Sequence, residues 1–161
     1  MKLHRHLATE EMDAVEADIE ALAAQQPYIE EWDGYDLDKT LFRHDTWKGV
    51  LHFGEPIMPM IEHLKANVAS GKRVKIFTAR VSYDDERVNT AARKAIQDLL
   101  FTHVGKVLEV TCKKDMGMRN LYDDRAWRVE ANQGTIVGQN KYPAGAVDQF
   151  HKDLKAELGQ T

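Results

Sequence analysis

The chain has 161 residues, of which 43% are hydrophobic and 30% charged, a composition typical of a folded domain of ordinary size and unlike that of a disordered chain. Its formal charge of −4 argues against binding nucleic acid by bulk charge, although a local basic patch stays open. No apolar run is long enough for a membrane helix, the first residues lack the apolar core of a signal peptide, and one cysteine excludes an internal disulfide or a zinc site of several thiolates. We therefore expect a soluble, cytoplasmic protein without a membrane partner; the sequence does not indicate an oligomeric state.

Hydrophobic spacing and the positions of Pro and Gly predict helices that alternate with strands. In chain order the predicted elements are a helix over 8–26, a strand over 28–35, a loop or short hairpin over 42–55, a helix from Pro56 to Gly71, a strand over 73–78, a helix over 84–100, strands over 106–111, 119–123 and 126–130, and a closing helix carrying Val147, Phe150, Leu154 and Leu158. Such alternation favours an α/β fold, a three-layer Rossmann-like, largely parallel sheet flanked by helices. We predict an N-terminal helical extension over 1–27 and a single α/β domain over 28–161.

Four polar clusters directly follow predicted strands, at the sheet edge where ligands of α/β proteins bind. They are Asp36-Leu37-Asp38-Lys39-Thr40, Thr78-Ala79-Arg80, Thr111-Cys112-Lys113-Lys114-Asp115 and Asp123-Asp124-Arg125. Residues i and i+2 of a strand point the same way, so Asp36 and Asp38 can face one site. Carboxylates this close repel one another unless a cation lies between them, and a hard cation such as Mg²⁺ prefers oxygen ligands. With a lysine (Lys113 or Lys114) and the Thr78 hydroxyl as donors, the clusters predict a phosphoryl site.

The order D-x-D-x-T, a strand followed by Thr, a lysine and then Asp-Asp resembles the haloacid dehalogenase (HAD) superfamily of phosphohydrolases and phosphotransferases, over roughly residues 30–135. The surrounding sequence is similar to small HAD-like proteins common in phage and prophage genomes. The Asp-Asp-Arg cluster is similar to that of deoxyribonucleotidases in the same superfamily. The resemblance implies a HAD-like fold and a Mg²⁺-dependent phosphatase that acts through an aspartyl-phosphate.

The resemblance also implies a role for each matching residue. Asp36 attacks phosphorus, and Asp38 protonates the leaving oxygen and then activates water. Thr78 and Lys114, chosen over its neighbour because of the pattern T-x-x-K-D, bind the phosphoryl oxygens. Asp124 binds Mg²⁺ together with Asp36 and the backbone carbonyl of Asp38.

Asp123 is expected to orient the metal ligands from beside Asp124. Lys39 occupies a position where the family usually has Gly, which indicates a shifted substrate preference. The intervals from Asp38 to Thr78 and from Thr78 to Lys114 span 40 and 36 residues. Each interval must hold regular elements, so neither leaves room for a separate cap domain.

Only residues 41–55, which we call the flap, could cover the site. An open site suits a phosphorylated small molecule, a nucleotide or a nucleic-acid end. Trp47 could stack on a base, and Arg80 or Lys39 could meet a second phosphate. An alternative function is a non-catalytic phosphate- or nucleotide-binding module that retains the site.

Overall fold

A computed structural model describes residues 9–138 together with Lys152 and Lys155. The chain divides into two compact units, Met1–Glu30 and Glu31–Thr161. The described part of the first unit contains helix α1, Thr9–Ala24, close to the bounds that the sequence predicts. The four apolar residues on which the predicted closing helix depends lie outside the described residues: Val147, Phe150, Leu154 and Leu158. No helix among the described residues is long and apolar enough to cross a membrane.

The second unit is an α/β arrangement built on a four-stranded parallel sheet in the order β3-β2-β1-β4. Its elements are β1 (Trp32–Tyr35), α2 (Met58–Ala69), β2 (Val74–Phe77), a 3₁₀ turn (Ala79–Val81), α3 (Glu86–Val104), β3 (Glu109–Thr111), β4 (Met118–Tyr122), β5 (Arg128–Val129) and β6 (Ile136–Val137). The predicted α/β class and parallel sheet flanked by helices are confirmed. The predicted strand over 126–130 is only the two-residue β5, which pairs antiparallel with β6, a strand that the sequence pattern did not predict.

Local chemistry fixes the ends of the two long helices in this unit. Asp85 caps the start of helix α3, where its side chain accepts a hydrogen bond from the Arg87 amide, and Gly105 caps the end in the left-handed conformation with φ of +73°. The helix therefore runs one turn past the predicted end at residue 100. Helix α2 begins at Met58 instead of Pro56, because Pro56 forms an isolated bridge with Phe42.

Both helices contribute to one buried core. The core lies against one face of the sheet and contains side chains of the strands and of both helices: Tyr35, Val74, Ile76, Val110, Ile61, Leu64, Ala92, Ile96 and Leu100. Full burial of each large aliphatic side chain contributes about 1.5–3 kcal/mol. Leu37, in the loop after β1, is also fully buried in this core, which fixes the backbone that carries the acidic residues on either side of it.

The other face of the sheet carries a buried cation, Lys75 on β2. Its Nζ lies 4.5 Å from the centre of the Trp32 ring and forms ion pairs with Glu109 at 3.1 Å and Asp115 at 3.4 Å. The Trp32 indole Nε1 donates to Asp115 at 2.7 Å, and this hydrogen bond is the main cause of the lowered pKa of Asp115. These contacts tie the connection between β3 and β4 to the beginning of β1.

Candidate metal and phosphoryl site

Three carboxylates from two neighbouring strands converge at the carboxyl edge of the sheet. Tyr35 at the end of β1 pairs with Tyr122 at the end of β4, and the Asp36 amide donates to the Tyr122 carbonyl at 2.9 Å. Asp36 follows β1 and Asp123-Asp124 follows β4. One oxygen of each of these three side chains lies within 4.8 Å of the others. The structure thus brings together three of the carboxylates that the sequence predicts for the metal site.

Thr40 links two members of this cluster. Its Oγ1 lies 3.3 Å from Asp36 Oδ2 and 3.2 Å from Asp124 Oδ1, so its single hydroxyl proton is shared between the two carboxylates. The side chain is buried, and the turn that carries it is closed by the Leu41 amide donating to the Leu37 carbonyl at 3.0 Å. Sequence analysis assigned Thr40 no role in the site, although it is the threonine of the D-x-D-x-T pattern.

The electrostatics of the cluster favour a bound cation. Burial, followed by the charge of Asp123 and the hydrogen bond and charge of Asp124, raises the pKa of Asp36 to about 8, against the opposing hydrogen bond from the Leu37 amide. A divalent cation between the carboxylates would offset this repulsion and favour the ionised form of Asp36. Because every donor is an oxygen, the residues fit a hard cation such as Mg²⁺.

Asp38 lies outside the three-carboxylate cluster, where its carboxylate is held by Arg80. Arg80 Nε donates to Asp38 Oδ2 at 2.7 Å, and Nη2 donates to Oδ1 at 2.8 Å. The arginine side chain is 3% exposed and that of Asp38 27%. This fork-to-fork geometry orients the carboxylate plane strongly, while the exposed fraction leaves one side of the carboxylate open.

Arg80 also holds the flap. Its Nη1 donates to the carbonyls of Gly49 at 3.2 Å and Val50 at 2.8 Å. The guanidinium carbon lies 4.8 Å from the centre of the Trp47 ring and 4.9 Å from that of Phe53. Arg80 and Trp47 are both buried. The 3₁₀ turn after β2 directs Arg80 against the flap, where it contacts Trp47 of the flap itself, so neither side chain is open to a second phosphate or a base.

The flap is an irregular loop with a closed neck. The Arg43 amide donates to the Glu55 carbonyl at 2.8 Å, and Phe42 bridges to Pro56. A Cβ atom added to Gly54 would lie 2.0 Å from the Arg43 carbonyl oxygen, so this position requires glycine. The neck keeps the two ends of the flap together beside the site.

Thr78 and Lys114 differ in their relation to the acids. Thr78 follows β2, next to β1, and is buried; its Oγ1 accepts from the Arg80 amide at 3.2 Å. Lys113 and Lys114 follow the edge strand β3 and are exposed. Within residues 9–138, neither lysine forms a hydrogen bond or ion pair with Asp36. β2 lies between β3 and β1, so these two strands are two strand spacings apart, about 10 Å. This distance explains why the lysines after β3 do not reach Asp36 after β1.

Lys39 is the other cation that sequence analysis placed near the site. It is exposed and has a φ of +66°, a conformation that costs a non-glycine residue about 1 kcal/mol. Together with Arg43, His44 and the segment 56–59 it lines an open groove of about 650 Å³. Burial lowers the pKa of His44, and Asp38, Arg80 and Lys39 are the charged groups that act on it, so the groove adjoins Asp38.

Comparisons of the chain with protein-family models, with curated protein sequences and with solved structures find no match.

Proposed function

We propose that this protein is a Mg²⁺-dependent phosphohydrolase with a HAD-like three-layer fold and no separate cap domain, which cleaves a phosphomonoester through an aspartyl-phosphate. The observation that carries the proposal is the convergence of Asp36 with Asp123 and Asp124, which are 87 and 88 positions later in the chain. A carboxylate directly after β1, beside two more acids that follow the neighbouring strand β4, supports this chemistry, because a nucleophile and cation ligands then lie together.

The residues that would hold the cation are Asp36, Asp123 and Asp124, joined by the backbone carbonyl of Asp38. Bound Mg²⁺ supplies charge neutralisation at the phosphoryl oxygens and at the carboxylates. Thr40 holds two of these carboxylates in a fixed relation through its hydroxyl. This hydroxyl leaves one oxygen of Asp36 available to react.

The reaction has two steps on the side chains of this chain. In the first, a carboxylate oxygen of Asp36 bonds to phosphorus, the bond from phosphorus to the leaving oxygen breaks, and Asp38 gives that oxygen a proton. In the second, Asp38 takes a proton from water, the water oxygen bonds to phosphorus, and the bond from phosphorus to Asp36 breaks to release inorganic phosphate. Uncatalysed hydrolysis of phosphate monoesters is so slow that catalysis must remove on the order of 20 kcal/mol of barrier.

The substrates that fit are phosphorylated small molecules, nucleotides or nucleic-acid ends. The groove beside the site carries Lys39 and Arg43, which can meet anionic groups of the leaving portion. The groove is open, which suits a leaving group that extends into solvent.

A phosphate-release screen tests the proposal, with Mg²⁺ or a chelator and with mononucleotides, oligonucleotides phosphorylated at either end and small metabolite phosphates. We expect Mg²⁺-dependent release that Asp36→Asn abolishes without loss of secondary structure. The matched control is Asp98→Asn, which alters an exposed ion pair with Lys94 on α3. Undiminished turnover by purified Asp36→Asn would refute the mechanism.

A second candidate is a non-catalytic module that binds Mg²⁺ and phosphate. Two observations favour it: both oxygens of Asp38 accept from Arg80, and Lys114 is exposed without a contact to Asp36. Such a module would show Mg²⁺ and phosphate binding by calorimetry while no compound in the screen releases phosphate. Turnover of any substrate that depends on Asp36 excludes it.

A further inference from the structure

Arg80 connects parts of the domain that are distant in sequence. It belongs to the turn after β2, yet its side chain makes two hydrogen bonds to Asp38 and two to the flap carbonyls of Gly49 and Val50. Four of the five N–H groups of a guanidinium are thereby used within the chain. Because the side chain is 3% exposed, these bonds are shielded from competition with water.

Arg80 contacts the flap through two aromatic rings in addition to the two carbonyl groups. The guanidinium carbon lies 4.8 Å from the centre of the Trp47 ring and 4.9 Å from that of the Phe53 ring, contacts that cation–π attraction stabilises. If the flap left this position, Arg80 would lose both carbonyl acceptors and both rings. Arg80 would then keep only its two hydrogen bonds to Asp38, so the pair could turn together and the plane of the carboxylate would no longer be fixed.

We propose that Arg80 is a positioning residue that couples the seating of the flap to the orientation of Asp38. The inference rests on the proposed function, in which Asp38 transfers the proton of the leaving group. Each oxygen of Asp38 accepts one N–H from Arg80 and keeps a further lone pair, and its side chain is 27% exposed. Asp38 can therefore exchange a proton with a leaving oxygen or a water while Arg80 fixes its direction.

The dependence of rate on the leaving group separates positioning from simple structural support. p-Nitrophenyl phosphate has a good leaving group that needs little help from a general acid, whereas glycerol phosphate has an alkoxide leaving group that needs a proton. General acid catalysis contributes typically about 10²–10⁴-fold. We expect Arg80→Met to lower kcat for glycerol phosphate about 100-fold or more, and for p-nitrophenyl phosphate at most about 10-fold.

Two further variants keep the test decisive if Arg80→Met folds poorly. Arg80→Lys keeps the charge but cannot bond both oxygens of Asp38 and both carbonyls at once, so it should show the same bias towards the good leaving group. Phe53→Ala removes one of the two rings that contact the guanidinium. It should also lower the rate for glycerol phosphate more than the rate for p-nitrophenyl phosphate, but by a smaller ratio. The matched control is Arg93→Met, which removes an arginine that also bonds a carboxylate and a carbonyl, those of Glu86 and Val110, and it should leave both rates unchanged.

Hydrogen exchange of peptides from residues 47–53 gives a readout that needs no turnover. Arg80→Met and Asp38→Asn should each speed exchange there, and the double variant should add little, because both changes break one connection. The coupling is overturned if Asp38→Asn leaves flap exchange unchanged, or if the Arg80 variants slow both substrates by the same factor. Absence of turnover in the wild-type protein, with coupled exchange retained, would refute the proposed function but not the coupling between Arg80, Asp38 and the flap.

Discussion

Asp36→Asn should stabilise the metal-free protein at neutral and alkaline pH, although it removes the proposed nucleophile. The pKa of Asp36 rises from 3.8 to about 8, so the folded state holds a proton that the unfolded chain releases above pH 3.8. This contribution to stability is complete below the unfolded pKa and declines as pH rises towards the folded pKa. Asparagine cannot ionise, and it keeps an oxygen that can accept from the Thr40 hydroxyl.

The size of the effect follows from the shift. About four pKa units at 1.36 kcal/mol each set an upper limit of roughly 5–6 kcal/mol. The carboxylates of the cluster interact with one another and the cluster is partly solvated, so we expect about half of this limit, roughly 2–3 kcal/mol. For a chain of this size that corresponds to a rise in Tm of about 5–10 °C.

Thermal unfolding followed by circular dichroism measures this difference in Tm between the wild-type protein and Asp36→Asn. In chelator, the wild-type Tm should fall relative to Asp36→Asn as pH rises from about 4 to about 8. Excess Mg²⁺ should raise the Tm of the wild-type protein far more than that of the variant, because binding to the native state adds RT ln(1 + [Mg²⁺]/Kd). A variant that melts at or below the wild-type temperature at pH 8 in chelator would refute the charge-repulsion argument.

Three further substitutions test other contacts. Thr40→Val removes the hydroxyl shared with Asp124 and should weaken Mg²⁺ binding about 10–100-fold by calorimetry; unchanged affinity would contradict its role in holding the ligands. Gly54→Ala places a Cβ atom 2.0 Å from the Arg43 carbonyl and should cost about 1–3 kcal/mol in urea unfolding and expose the flap to protease, whereas wild-type stability would show that the neck can relax. Ile96→Ala leaves a cavity at a fully buried core site and should lower the free energy of unfolding by about 2–5 kcal/mol. A denaturant midpoint close to that of the wild type would contradict this prediction.

The convergence of the acids could be predicted because it depends on features visible in the sequence. The alternation of strands and helices indicates a parallel sheet, and the ends of adjacent parallel strands meet at one edge. This rule alone predicts that Asp36 and Asp123 lie close together, and it needs no information about the loops. The length of helix α3 was underestimated by one turn, because its apolar pattern weakens after residue 100. The helix continues to Val104 and is capped by Gly105.

The positions of Arg80 and Lys114 could not be predicted in the same way. The destination of Arg80 depends on the path of an irregular flap, which is closed by backbone bonds such as that between Arg43 and Glu55. The position of Lys114 depends on the next residue, Asp115, which bonds to Trp32 and Lys75. Both outcomes come from contacts between segments far apart in the chain, and hydrophobic periodicity carries no information about such contacts.

The narrow neck of the flap has a consequence for engineering selectivity. Because Arg43 and Glu55 are joined by a backbone hydrogen bond of 2.8 Å, a longer segment inserted at the tip between them would begin and end at almost the same point. The entropic cost of lengthening a loop grows only slowly with its length, so the sheet edge and its acids should tolerate the graft. The fold therefore offers a scaffold on which interchangeable lids could be compared above a constant set of carboxylates.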